Sequence, residues 1–140
     1  MNSKLIWRIN KTVLPQHSDH AGVMWHGTYF NWLEESRIKA LSEVGVNYFE
    51  LTNKGFDLPL INSYIKYILP LFLGDKITIE SVYNIGKSPK INIHSKFINN
   101  KKDVLTIAEV NLVLINRKNF TIIRKRPDYL SNAFSKLNGE

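Results

Sequence analysis

The residues best suited to chemistry crowd into one stretch, His17-Ser18-Asp19-His20-Ala21-Gly22-Val23-Met24-Trp25-His26-Gly27-Thr28-Tyr29. It places an acid, three histidines and two glycines immediately before an amphipathic segment. Asp19 can act as a nucleophile, forming a mixed anhydride, or as a general base on water. Gly22 and Gly27 permit close backbone approach to a ligand. A helix start just beyond supplies unpaired N–H groups and a positive dipole end, which stabilise a developing oxyanion. Acid plus oxyanion hole is the equipment for transferring an acyl group to water. The plain alternative for Asp19 is a turn aspartate bonded to its own backbone. His26 reads either as a donor toward an acyl carbonyl or as a surface or capping histidine.

Other chemistries find less support. The chain has no cysteine, which excludes disulfides, thiolate catalysis and thiolate metal sites. His17, Asp19 and His20 lack the helical i,i+4 spacing of a ligand pair, and no second ligand cluster follows, so no metal is expected. Ser18 lacks the strained elbow of a nucleophilic serine. Trp25, Trp32 and Tyr29 read as core or pocket wall.

The elements that must position these residues follow from periodicity. Leu5, Trp7 and Ile9 alternate with polar neighbours and predict a first strand. Tyr29 to Val44 predicts the main helix, with Thr28 as N-cap, Gly45 as terminator and Glu35–Lys39 as an i,i+4 ion pair. Its apolar stripe is Tyr29, Phe30, Leu33, Ala40, Leu41 and Val44. A short piece, Asn47 to Asn53, follows. The period then switches to two: strands are expected over Leu60–Leu69, Lys76–Ile85, Lys90–Ile98 and Val104–Ile115, with Phe120–Ile123 a short strand or an extension. Pro127 opens a terminal helix at its first position. Short connections favour antiparallel neighbours, and one long helix must bury its stripe on a sheet that twists around it. The expectation is one α+β domain over residues 1–140.

The net charge is +7. The basic residues are scattered, without a long block, which argues against nucleic acid. Lys87, Ser88 and Lys90 fall on a turn, where they are either solvated or in contact with phosphates of an anionic substrate. Arg124-Lys125-Arg126 carries the same two readings. No apolar run is long enough to span a bilayer, and Met1–Lys11 has no signal-peptide apolar core, so a cytoplasmic protein is expected.

The series Asp19-x-x-Gly22-Val23-Met24-Trp25-His26-x-x-Tyr29-x-x-Trp32-Leu33-Glu34-x-x-Arg37 resembles the signature of the 4-hydroxybenzoyl-CoA thioesterase family, including its YbgC-like acyl-CoA thioesterase branch. Leu71-x-x-Gly74-Asp75-x-Ile77 resembles the family's entry into its third strand. The likeness extends from about Trp7 to Leu130. It implies a hot-dog fold, a long antiparallel sheet wrapped around one central helix. It also implies homodimers joined edge to edge, usually paired into tetramers, with acyl-CoA entering between subunits and no cofactor beyond the CoA of the substrate. Asp19 falls on the family's catalytic carboxylate, His26 on the position whose N–H faces the thioester carbonyl, and Tyr29 on the aromatic of the first helical turn. Pro15 and His17 depart from the tyrosine and acid that many YbgC-like members carry there. A non-catalytic module binding acyl-CoA or acyl carrier protein is the alternative implied by the same fold; a hot-dog dehydratase lacks its histidine-plus-acid arrangement on the helix.

Overall fold

The computed structural model describes residues 4–140; Met1–Ser3, part of the N-terminal stretch read above, lie outside the described residues. In chain order the elements are β1 (Trp7–Thr12), a 3-10 turn (Pro15–His17), α1 (His26–Glu43), α2 (Tyr48–Asn53), β2 (Phe56–Asp57), β3 (Leu60–Tyr67), β4 (Lys76–Ile85), β5 (Lys90–Ile98), β6 (Val104–Val113), β7 (Ile115–Asn116), β8 (Thr121–Ile122) and α3 (Asp128–Asn138). Five strands form an antiparallel sheet in the order β1-β4-β5-β6-β3. The short β2, β7 and β8 form a second sheet. This is the α+β hot-dog arrangement, with the long sheet curled around α1.

The alternation read from the sequence sets the faces. Ile77, Ile79, Ser81, Tyr83 and Ile85 of β4 are buried, as are Ile91, Ile93, Ser95 and Phe97 of β5. These side chains point toward α1 because period two puts them on one face. The helix answers with Tyr29, Trp32, Leu33, Ser36, Ala40 and Leu41. Phe30, placed on the stripe by its spacing, is instead exposed, and Trp32 and Ser36 take the inner face. Burying a serine there is tolerated because it is bonded: Ser36 and Ser81 hydroxyls lie 3.4 Å apart, and Ser81 and Ser95 lie 2.7 Å apart. The chain of three hydroxyls ties the middle of α1 to two strands.

Helix α1 starts earlier than its apolar pattern indicates. The cap is Trp25, with no side-chain capping bond, and Thr28 lies inside the first turn, donating its hydroxyl to the His17 carbonyl at 3.2 Å. Tertiary bonding has overridden the local capping preference. The other end follows expectation. Gly45 takes φ +89, its N–H reaches Ser42 O at 3.0 Å, and Val46 N–H reaches Leu41 O at 2.8 Å, a Schellman ending. Glu35 does not pair with Lys39; it meets Lys11 of β1 at 2.9 Å. At α3, Pro127 is the cap itself rather than the first helical residue.

Tyr83 is 2% exposed, and its hydroxyl has no hydrogen-bond partner among the described residues. Burial pushes its pKa far up, and Tyr29 and Tyr48 shift the same way for the same leading cause. A folded-state pKa above the unfolded value of about 10 means that the unfolded chain releases its protons first. Stability should therefore hold below about pH 10 and fall above it. Denaturation titrated alongside phenolate absorbance checks this; phenolate signal from all six tyrosines without loss of fold would refute it.

Candidate active site

The loop between the 3-10 turn and α1 is a small hairpin. Trp25 N–H donates to His17 O at 2.7 Å, Ser18 bridges Met24, and Asp19 N–H donates to Val23 O at 2.9 Å. Asp19 to Gly22 form its tip, closed by Gly22 N–H to Asp19 O at 3.1 Å. Gly22 takes φ +83 with open space where a Cβ would stand. Its positive φ serves the left-handed turn. The tip presents Asp19 half-buried, with Oδ1 accepting from Ala21 N–H at 2.8 Å. Asp19 closes an Asx turn with one oxygen, and no hydrogen bond engages the other among the described residues.

The base of the hairpin runs straight into α1. The N–H groups of His26 and Gly27 precede the first turn bond, which is Thr28 N–H to Trp25 O at 3.0 Å, and so have no intrahelical acceptor. Beside them lies a cavity of about 340 Å³, lined by residues that include Val23, Met24, His26, Tyr29, Tyr67 and Leu69. Asp19 is not in the lining, but it stands across the hairpin from Val23, about 5 Å away by strand spacing. Met24 N–H donates to Leu71 O at 2.7 Å, and Val23 bridges Phe72, which fastens the hairpin to the loop after β3. That loop is shaped by Gly74 at φ +91 and by Asp75, whose Oδ2 accepts from Phe72 N–H at 2.8 Å.

Tyr29 forms the floor. Its ring meets Tyr67 edge-on at 4.9 Å and Phe97 at 5.5 Å. Burial raises its phenol pKa, partly offset by the nearby Thr106 hydroxyl, whose oxygen makes no bond of normal geometry. Tyr29 is therefore neutral at physiological pH and suited to lining and hydrogen bonding rather than to acting as a base.

Gly27 serves a different purpose from the one its residue type suggests. A Cβ there would stand 2.3 Å from the Trp25 indole, which lies over the first turn of α1 and tilts against the His26 ring at 5.3 Å. The missing side chain makes room for Trp25. Gly27→Ala should leave stability within about 0.5 kcal/mol, because a half-exposed indole can swing away. It should shift tryptophan emission and lower turnover. Unchanged emission would show that the ring does not rest there.

The remaining histidines take other parts. His17 Nδ1 accepts from Leu14 N–H at 3.0 Å, and its ring meets Trp32 edge-on at 5.3 Å, so it builds the loop. His20 is exposed at the tip. Among the described residues no three His, Asp or Glu side chains gather as metal ligands. Lys87, Ser88 and Lys90 are not brought to this site. Lys90 pairs with Val113 and Phe97 with Thr106, so the β4–β5 turn lies about 23 Å along the sheet from the helix start. Ser88 accepts from Lys90 N–H at 3.2 Å, and Arg126 donates to the carbonyls of Gly86 and Ser88, bracing the turn from α3's side.

Tyr67 and the segment after it, Ile68 to Leu71, escaped the sequence reading as site residues. Their one signal was an apolar run at the end of a strand that does not alternate.

A second cavity, of about 180 Å³, lies between α1 and the sheet and is lined in part by Phe30, Glu34, Arg37 and Leu60. Arg37 closes one side, donating to Leu58 O at 3.3 Å and lying 3.6 Å from Glu34.

Residues 13–132 match the thioesterase-like superfamily. This chain belongs to that superfamily. A Synechocystis relative in it, named "Putative esterase", is 28% identical over 126 residues, which is 89% of this chain and 76% of that one. The 1,4-dihydroxy-2-naphthoyl-CoA hydrolase of Thermosynechococcus vestitus is 23% identical over 95% of this chain and 94% of that one. The crystal structure of a Synechocystis 1,4-dihydroxy-2-naphthoyl-CoA thioesterase superposes with a TM-score of 0.86 at 18% identity, covering 94% and 97% of the two chains. The matched span takes in both the Asp19 hairpin and the Leu71–Ile77 entry into β4. No helix among the described residues is long and apolar enough to cross a membrane.

Proposed function

We propose that this chain hydrolyses acyl-CoA thioesters to free acid and CoA, as a YbgC-like member of the 4-hydroxybenzoyl-CoA thioesterase family. The observation that carries the proposal is the hairpin. It sets Asp19 one strand spacing from the wall of a cavity whose other side is the open start of α1. In this reading the thioester carbonyl points at the His26 and Gly27 amides, which take up the developing negative charge. Asp19 attacks the carbonyl or draws a proton from water with its free oxygen. The acyl group lies against Tyr29, Tyr67 and Leu69. Two tyrosines in the wall favour an aromatic acyl group, in keeping with the naphthoyl-CoA named for the relative. The chemistry needs no cofactor or metal, and the 140 residues work as one domain.

The working unit in this proposal is a dimer joined along β3. Both ends of the long sheet have a free edge, but they differ. β1 carries Arg8 and Lys11, held in ion pairs with Glu80 and Glu35, and no exposed apolar row. β3 exposes Leu60, Ile61, Tyr64 and Tyr67, each about half open to solvent, and the apolar surface continues through Leu69 and Phe72. A two-fold antiparallel join would bring one copy's Tyr67 end beside the other's Leu60 end. The turn with Lys87, Ser88 and Lys90 would then approach the partner's site, where its charges suit CoA phosphates. Pairing of such dimers into a tetramer extends the same reading.

A hydrolysis screen over aromatic and aliphatic acyl-CoAs tests the function. Tight CoA binding with no hydrolysis across the panel would assign the fold to a binding module instead. For assembly, sedimentation should give a dimer or larger species, and Ile61→Lys with Tyr64→Lys should shift it to monomer with lower activity.

A further inference from the structure

We infer that the β7–β8 turn and the strand after it form a docking surface for an anionic lipid bilayer. From Val110 to Pro127 the chain has five cations, Arg117, Lys118, Arg124, Lys125 and Arg126, and no acid. Arg126 is spent on the β4–β5 turn. The other four are exposed, and none makes an ion pair among the described residues. Lys54 adds a fifth exposed cation beside them: Arg117 N–H donates to Gly55 O at 2.8 Å, and the Lys54 ammonium sits 4.3 Å from the centre of the Tyr129 ring. The acids close by are Glu50, Asp57 and Asp128, and Asp57 is engaged by the Tyr48 hydroxyl and the Leu58 N–H, so the five exposed cations outnumber them.

Among these cations stand two apolar side chains left exposed among the described residues. Phe120 is 78% exposed, and Ile122 on the edge strand β8 is 46% exposed. Phe120 takes φ +56, a conformation better suited to glycine or asparagine. It is kept there by the turn. Phe120 N–H donates to Asn116 O at 2.8 Å, Asn116 Oδ1 accepts from Lys118 N–H at 2.9 Å, and Asn119 Oδ1 accepts from the Thr121 hydroxyl at 2.7 Å. An ordered projection that holds a phenyl ring outward, ringed by arginine and lysine, has the chemistry of a headgroup-region anchor. The cations draw it to anionic headgroups and the ring enters the acyl boundary. A nucleic acid would be gripped in a concave basic groove with stacking platforms, whereas this surface is a protruding turn with an aliphatic neighbour. The turn follows the Val113 end of β6, so within one protomer it lies at the far end of the sheet from Asp19.

The test is co-sedimentation of the full chain with vesicles of phosphatidylcholine alone or with about 30 mol% phosphatidylglycerol at physiological salt. Binding is expected on the anionic vesicles only and should weaken as salt rises. Arg117→Glu with Lys118→Glu should lower the partition coefficient by at least about tenfold, and Phe120→Ser by several-fold with the charge intact. Lys101→Glu with Lys102→Glu makes the same charge change on a different loop and should bind as the parent does. Circular dichroism confirms that each variant is folded. The proposal is overturned by no binding to anionic vesicles, by parent-like binding of the Arg117/Lys118 variant, or by equal loss in the Lys101/Lys102 variant. Salt-dependent RNA capture without vesicle binding would reassign the surface to nucleic acid and overturn it as well.

Discussion

Asp19→Asn is expected to keep the fold and lose about 10²–10⁴-fold in kcat/KM toward the best acyl-CoA substrate, the range for a removed acid or base. The substitution separates the turn bond that Asp19 makes from the catalytic role proposed for it. Asparagine retains an Oδ1 that can accept from Ala21 N–H, so the Asx turn and the hairpin tip survive. It cannot attack a carbonyl as a carboxylate does, nor take a proton from water. A turn-only aspartate would therefore tolerate asparagine, whereas a catalytic one would not. Steady-state kinetics with a thiol-detecting reagent, paired with thermal unfolding, makes the comparison. Near-normal turnover in a folded variant would end the proposal that Asp19 performs the chemistry. Asp19→Ala is a weaker test because it removes the turn bond as well.

Phe97→Ala should cost about 3–5 kcal/mol of stability, the range for emptying a large aromatic site in a core. Phe97 is fully buried on β5, where it holds Tyr29 at 5.5 Å and Trp32 at 6.4 Å between ring centres. It is the sheet's grip on the first turns of α1, and so on the floor of the cavity. The variant that survives should also turn over more slowly, because Tyr29 can relax into the space left behind. Phe134→Ala in α3 provides the contrast. Phe134 is equally buried, yet its ring packs under the Arg126 guanidinium at 5.2 Å rather than against Tyr29, so a comparable stability loss should leave the activity of the folded fraction intact. Denaturant unfolding with an unchanged slope checks both losses. A Phe97→Ala cost under about 1 kcal/mol would show that the ring is not the keystone between sheet and helix.

The sequence by itself determined the order of the main elements and the faces of β4 and β5, whereas the short β2 and the break of Val104–Ile115 into β6 and β7 were not legible. Period-two alternation in Lys76–Ile85 and Lys90–Ile98 has one way to bury its apolar half, and both strands have the expected bounds. Gly45 ended α1 for an equally local reason, since its positive φ closes a Schellman motif. The helix start was not legible in the same way. Thr28 has the better intrinsic capping chemistry, but its hydroxyl and Trp25 N–H are both claimed by the His17 carbonyl, a bond that exists only once the hairpin has formed. Glu35 went to Lys11 rather than Lys39 because β1 passes alongside the helix.

The site divides along the same line. Asp19, His26 and Tyr29 were visible as residue types at telling positions, whereas what each one touches was not. Gly27 makes room for the Trp25 ring, Gly22 for a turn, and Tyr67 joins the cavity from a strand far along the chain. Lys87, Ser88 and Lys90 look like neighbours of the site in chemistry alone; strand register carries them to the other end of the sheet. Local pattern reports what a segment of chain can bury or cap, because those energies depend on near neighbours. Which groups share a cavity depends on strand order and register, and these are set by long-range contacts that no single segment contains.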